Sequence, residues 1–324
     1  MIATFLRSSF LTTYALCQHK SFIEYNLGIK PPTSKSAAVG NAVHKVMELL
    51  ARQKLAIQNG EQSFNDDLLG VINVDDCQPM HILSLVLDKE EDMSEADKKD
   101  CIKQVKTGIT SYNGIYDPRN CEIVAAEHPF DYVIDKPWAK YSFDAPGGKV
   151  EGQLMLRGTI DLVIKHDDET YELRDYKTGR VWDWAKNKAK DEQSLYNDVQ
   201  LNLYYYAACQ AFPNIKNILF TIYFIKYDQP FLIAFDRSDL PKIENMLAAR
   251  YKEIVNNLKP KLNISFRCRF CHFSKVDYEE SGQTICEFFK DQVIERGIQK
   301  TMNEFGKWES ISHYGVGGNH DYRQ

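Results

Sequence analysis

No stretch of this 324-residue chain carries the roughly 20 uninterrupted apolar residues that a membrane-crossing helix needs, because Lys, Asp or Asn cuts even its most apolar segments. A helical membrane span is therefore excluded. Glycine and proline are sparse, at 17 and 11 residues, and no segment repeats, so collagen, low-complexity disorder and repeat arrays are excluded as well. The phosphate-cradling loop G-x-x-x-x-G-K-[ST] is missing, which removes a fused helicase motor. The N-terminal run MIATFLRSSFLTTYALC lacks the unbroken apolar core of a signal peptide, since Arg7 and several Ser and Thr interrupt it. It reads as mature, cytoplasmic sequence.

What the chain does have is the composition of an ordinary globular protein: 44% hydrophobic, 26% charged and 12% aromatic. That is enough apolar material to bury a substantial core. Eight cysteines in a cytoplasmic chain point to metal binding, catalysis or burial rather than to disulfides. The net charge of −5 argues against a nucleic-acid partner only until it is located. Residues 61–100 hold 12 acidic side chains and 3 lysines, a local −9, so the remainder of the chain carries +4. The acidity is regional, and a positive groove elsewhere is allowed.

Hydrophobic spacing predicts helices over 8–25 and over 37–53, the second carrying Val39, Val43, Val46, Met47 and Leu50 on one face and stopping before Asn59-Gly60. Residues 55–120 read as a helical, acidic insertion or lid. Strand-like runs follow at 121–134, 153–164 and 170–176, then a helix over 192–211, strands at 218–225 and 230–235, and a helix over 238–258. This order predicts an α/β fold with a mixed central sheet flanked by helices. The expectation is a single domain over 1–324, with a cysteine-bearing region at 260–290 and a flexible tail at 315–324.

The stretch GTIDLVIKHDDETYELRDYKTGR carries the chemistry. His166-Asp167-Asp168-Glu169 is a turn signal between two strands, so a hairpin centred on Asp168 pairs residues whose numbers sum to 336 and sets Asp161 opposite Asp175. Strand alternation puts Asp175 and Lys177 on one face. Directly opposed Cβ atoms are about 4.5–5.5 Å apart, and two carboxylates that close repel unless a cation joins them. Mg²⁺ or Mn²⁺ favours such oxygen ligands. Lys177 beside the cation can orient water and offset charge on a phosphate, which is phosphodiester hydrolysis chemistry. The competing reading is an exposed cross-strand salt-bridge network of little energetic weight.

GTID followed by DYKTG resembles the PD-(D/E)XK nuclease superfamily, in particular its RecB-like branch. The resemblance implies that Asp161 and Asp175 bind metal and that Lys177 activates water. Gly40-Asn41-Ala42-Val43-His44 resembles the branch's G-x-x-x-H helix, which implies that His44 is a metal ligand. Gln200-Leu201-Asn202-Leu203-Tyr204 resembles its Q-x-x-x-Y helix, which places Gln200 and Tyr204 at the active site. As i,i+4 neighbours, those two share one helical face. Glu127, on the strand before the hairpin, matches a glutamate of the same branch.

Cys268-Arg269-Phe270-Cys271 is a C-x2-C pair, and Cys286 follows after fourteen intervening residues. Such spacing suits one metal centre. Cys17, in CQHKSFIEY, is similar to the N-terminal cysteine of a subgroup that includes AddB-type subunits and CRISPR-associated exonucleases. That resemblance implies a structural [4Fe-4S] cluster on Cys17, Cys268, Cys271 and Cys286; the competing metal is Zn²⁺ on Cys17, Cys268, Cys271 and either Cys286 or His272. It also implies exonuclease action on single-stranded DNA and protein partners of a recombination, repair or CRISPR type. A non-catalytic DNA-binding or assembly subunit with the same fold is the rival function. After DYKTG, Arg180, Trp182, Trp184, Lys186, Lys188 and Lys190 interleave basic and aromatic side chains, a pattern suited to single strands.

Overall fold

The computed structural model describes residues 1–32, 35–90, 92–183 and 188–308; Trp184, Lys186 and the 315–324 tail lie outside the described residues. In chain order the elements begin with β1 (Phe5–Leu6), α1 (Ser8–Leu16), α2 (Gln18–Ser21), α3 (Lys35–Gln58), β2 (Ser63–Asp66), β3 (Gly70–Asn73), α4 (Pro79–Leu87) and α5 (Glu95–Thr110). Then come β4 (Glu122–Val133), β5 (Lys140–Ala145), β6 (Gly148–Gln153), β7 (Met155–Lys165) and β8 (Thr170–Lys177). The chain continues through β9 (Trp182–Asp183), β10 (Lys188–Ala189), α6 (Glu192–Tyr196), α7 (Val199–Ala211), β11 (Asn217–Phe224), β12 (Gln229–Phe235), α8 (Leu240–Val255) and α9 (Ile285–Phe305). Among the described residues, no helix is long and apolar enough to cross a membrane.

The chain forms two compact units. One is made of Met1–Pro32, Asp131–Gly158 and the residues from Leu240 onward; the other is made of Thr33–Phe130 and Thr159–Asp239. The main sheet runs β1-β7-β8-β11-β12, with β4 also pairing to β7. It is mixed, as expected: β8 and β11 are parallel, whereas β7 with β8 and β11 with β12 are antiparallel. The hairpin register is the predicted one, with Leu162 opposite Arg174 and Lys165 opposite Tyr171.

In the second unit, α3 supplies Val43, Val46, Met47 and Leu50 to a core shared with Leu162 and Ile164 of β7, Tyr176 of β8 and Tyr223 of β11. Burying each such side chain contributes about 1.5–3 kcal/mol. The helix runs past the expected end at 53 because Ala56 is also buried. The acidic segment joins the same core through Ile72, Ile82, Leu83, Val86, Cys101 and Val105. It is not wholly helical, since β2 and β3 form a short hairpin there. α7 is buried from Leu201 to Cys209, and its Tyr205 packs on Phe220 and Phe235.

Two expected helices are broken. The first stops at Leu16 because Cys17 is extended (φ −160°, ψ 109°), and the Cys17 sulfur accepts from the Lys20 amide at 3.5 Å to start α2. The other is cut at Asn197-Asp198, where the Asp198 carboxylate accepts from the Gln200 amide at 2.8 Å and caps α7. The β5–β6 hairpin, which turns at Ala145-Pro146-Gly147-Gly148, and helix α9 were not predicted.

Candidate active site

Five elements of the second unit converge on one cluster: α3 brings His44, β4 Glu127, β7 Asp161, β8 Asp175 and Lys177, and α7 Gln200 and Tyr204. α3 can approach the loop after β8 closely because residue 40 is glycine; a Cβ there would stand 2.9 Å from the Thr178 hydroxyl. His44, one turn further along, sets its Nδ1 3.4 Å from Asp161 Oδ2. The same oxygen accepts from the Tyr176 amide at 2.9 Å, so the hairpin itself aims Asp161.

Asp175 is only 7% exposed. Its Oδ1 accepts from Lys177 Nζ at 2.9 Å and from Gln200 Nε2 at 3.2 Å. Its Oδ2 lies 2.8 Å from Lys177 Nζ but accepts no well-aligned hydrogen bond, leaving a buried carboxylate lone pair without a donor. Gln200 reaches this spot because the Asp198 cap starts α7 two residues earlier.

The environment separates the two aspartates. Burial pushes Asp161 up, yet the hydrogen bond and charge of His44, with Lys177 and the Tyr176 amide, outweigh it and hold the carboxyl below its usual range. Burial dominates at Asp175 and leaves it above that range despite Lys177. His44 loses to burial and gains more from Asp161, ending above its ordinary value. Glu127 is pushed up to about 7, by burial first and then by the Asp161 and Glu48 carboxylates. Its backbone sits at φ 45°, in the left-handed region. Such a conformation costs on the order of 1–3 kcal/mol for a residue with a side chain.

One nitrogen of His44 and one carboxylate oxygen each of Glu127 and Asp161 lie within 4.8 Å of one another, the one such trio found among the described residues. Nitrogen and oxygen donors at that spacing fit a hard divalent cation. Glu48, which sequence reasoning missed, is one turn beyond His44 on α3, and its charge acts on Glu127. Its i,i+4 spacing from His44 was the available signal. Lys45 (2.9 Å) and Arg52 (3.1 Å) hold it, and both also grip buried Asp66 of β2.

A family model of the PD-(D/E)XK nuclease superfamily matches residues 8–276. The chain belongs to that superfamily. No curated protein matches it. A solved structure of an inferred exonuclease from Eubacterium rectale is similar at a TM-score of 0.45 and 10% identity, covering 82% of this chain and 88% of that one.

Other candidate residues of this superfamily member are placed differently. Arg180 is exposed and Trp182 half-buried in β9, whose partner is β10. Lys188 and Lys190 are engaged by Asp191 at 3.2 Å and by Asp198 at 3.0 Å. The four cysteines lie in the first unit, with Cys17 capping α2, Cys268 and Cys271 in the loop before α9, and Cys286 in the first turn of α9. Buried His19 ties two of these segments together by bonding the Cys286 carbonyl at 2.9 Å. The Cys286 thiol is pushed up to about 12, by burial and then by Cys17, Cys271 and Cys268. Among the described residues, no three of these thiols and His272 gather within 4.8 Å.

Proposed function

We propose that this chain is a divalent-metal-dependent nuclease that hydrolyses phosphodiester bonds, acting as an exonuclease on single-stranded DNA. The observation that carries the reading is the His44, Glu127 and Asp161 trio within 4.8 Å, set beside the Lys177–Asp175 pair at 2.9 Å. His44, Glu127, Asp161 and Asp175 would hold Mg²⁺ or Mn²⁺. Such an ion supplies a Lewis acid for the phosphate and a lowered pKa for water.

The chain's own groups do the rest. Asp175 fixes Lys177 Nζ by two contacts, so the ammonium can donate to an attacking water and offset charge that grows on the phosphate oxygens. Gln200 donates to the same Asp175 oxygen, Oδ1, and so helps hold the carboxylate. Tyr204, buried beside Asp175 and Lys177, closes the site with a ring and a hydroxyl that burial keeps protonated.

The cysteine reading is a structural [4Fe-4S] cluster on Cys17, Cys268, Cys271 and Cys286. A single tetrahedral zinc with Zn–S bonds near 2.3 Å needs its sulfurs about 3.8 Å apart. A cube gives each thiolate its own iron and tolerates wider spacing. What supports the reading is that the four cysteines lie in one unit and that the Cys286 thiol feels the charges of Cys17, Cys271 and Cys268.

The test is degradation of end-labelled single-stranded DNA with Mn²⁺ or Mg²⁺ by protein purified anaerobically, compared with Lys177→Ala. Activity in the wild type alone supports the reading, and the product ladder gives polarity. Inactivity in both transfers the weight to a non-catalytic DNA-binding subunit.

A further inference from the structure

The loop that carries Cys268 and Cys271 presents large apolar side chains to solvent: Ile264 is 81% exposed, Phe270 80% and Phe266 52%. Exposed aromatics grouped in so short a stretch mark an interaction surface. The loop is nonetheless held rigidly. Two short 3₁₀ turns span Phe266–Phe270 and His272–Ser274, buried Phe273 anchors the second, and the Ser274 hydroxyl donates to the carbonyls of Cys268 and Cys271.

Charge identifies the partner. From Lys259 to Lys275 the sequence holds Lys259, Lys261, Arg267, Arg269 and Lys275 and no acidic residue, in a chain of net −5. Among the described residues, none of these five cations is in an ion pair, although cations elsewhere in the protein are widely paired. The Arg267 guanidinium lies 5.3 Å from the Phe266 ring centre, and its Nε is buried without a hydrogen-bond partner. Unpaired cations call for anions, and outward rings call for flat apolar faces. Single-stranded nucleic acid offers both in alternation.

We propose that this loop is a stacking platform for single-stranded DNA, with Phe266 and Phe270 receiving bases while Arg267 and Arg269 contact phosphates. It rests on the single-strand substrate read above. The test uses the full chain in EDTA, so that nothing is cut, and follows the anisotropy of a fluorescent oligo-dT over a range of salt. Phe270→Ala should weaken binding about 10-fold, the effect of one lost stack, and Phe270→Trp should restore it. Arg269→Gln should flatten the log–log salt slope by about 0.7. Unchanged thermal unfolding in Phe270→Ala would show that the loss is one of contact, as its exposure implies.

Oligo-dT binding by Phe270→Ala that equals the wild type overturns the proposal. If Phe270→Ala instead changes self-association in sedimentation, the surface joins copies of the chain and the proposal also fails. Hydrolysis with Mn²⁺, measured in parallel, keeps the two readings apart. A wild type that cuts single strands while Phe270→Ala binds them normally refutes the platform and leaves the nuclease standing. A wild type that neither binds nor cuts refutes both.

Discussion

Replacing Lys177 by alanine separates a catalytic pair from a merely structural one. The ammonium touches both oxygens of Asp175, at 2.9 and 2.8 Å. Its side chain is 35% exposed, however, against 10% for Asp175, so solvent screens much of the attraction. Loss of a fully buried pair would cost about 3–5 kcal/mol, and screening at this site reduces the expectation to about 1–3 kcal/mol. Asp175 also keeps its Gln200 donor, so the variant should remain folded with a modestly lowered Tm. Hydrolysis should fall far more. Removing one preorganised donor from developing transition-state charge costs on the order of 10²–10³ in rate, about 2.7–4 kcal/mol of barrier. Single-turnover cleavage of end-labelled single-stranded DNA at saturating Mn²⁺ measures the chemical step, and circular dichroism monitors the fold. Lys177→Arg should not rescue, because a planar guanidinium cannot reproduce a compact ammonium. A folded Lys177→Ala protein cutting within about twofold of wild type would refute the assignment.

Three further outcomes are expected. EDTA should abolish cleavage, and His44→Ala should raise the Mn²⁺ concentration needed for half-maximal rate by about 10-fold or more, as expected for a lost ligand; an unchanged metal titration would remove His44 from the site. Glu172 is 4% exposed and bonds Arg174 at 2.8 Å. Burial raises its carboxyl, but Arg174 outweighs burial and holds it below its ordinary value. The stabilisation is therefore present above that ordinary value and lost as pH falls through the depressed one. Glu172→Gln should cost about 3–5 kcal/mol in urea unfolding at neutral pH, a gap that closes with acid; a gap independent of pH would contradict this. Cys268→Ser should lower metal content and stability together, by up to about 5 kcal/mol if the cysteines close a loop of some 250 residues; full iron content and full stability would dismiss the staple.

The register at the heart of the site was legible because a hairpin leaves few alternatives. Turn residues around Asp168 fix the pairing, and a slip by one residue would turn every side chain to the opposite face. The strands and helices of the sheet region followed from periodicity for the same reason. Breaks were harder to read. Cys17 and Asp198 interrupt helical patterns whose hydrophobic spacing continues across them, and only the capping contacts with Lys20 and Gln200 reveal the stops. The β2–β3 hairpin is masked by its short, polar-flanked strands, whereas the β5–β6 turn carries its signal openly in Pro146-Gly147-Gly148.

The sequence by itself determined the local chemistry: that β7 and β8 pair in a hairpin about Asp168, that Asp175 and Lys177 share a face, and that Gln200 and Tyr204 share another. These are consequences of short-range geometry with periods of 2 and 3.6 residues. Only the tertiary structure decided that His44, some 117 positions before Asp161 in the sequence, lies 3.4 Å from it. It gave Glu127 a left-handed backbone that no pattern announces, set it within 4.8 Å of His44 and Asp161, and brought in Glu48 beside it. It also set the two aspartates on opposite sides of their ordinary range. Burial and the charges that accompany it are sums over residues distant in the chain, and a one-dimensional pattern does not contain them.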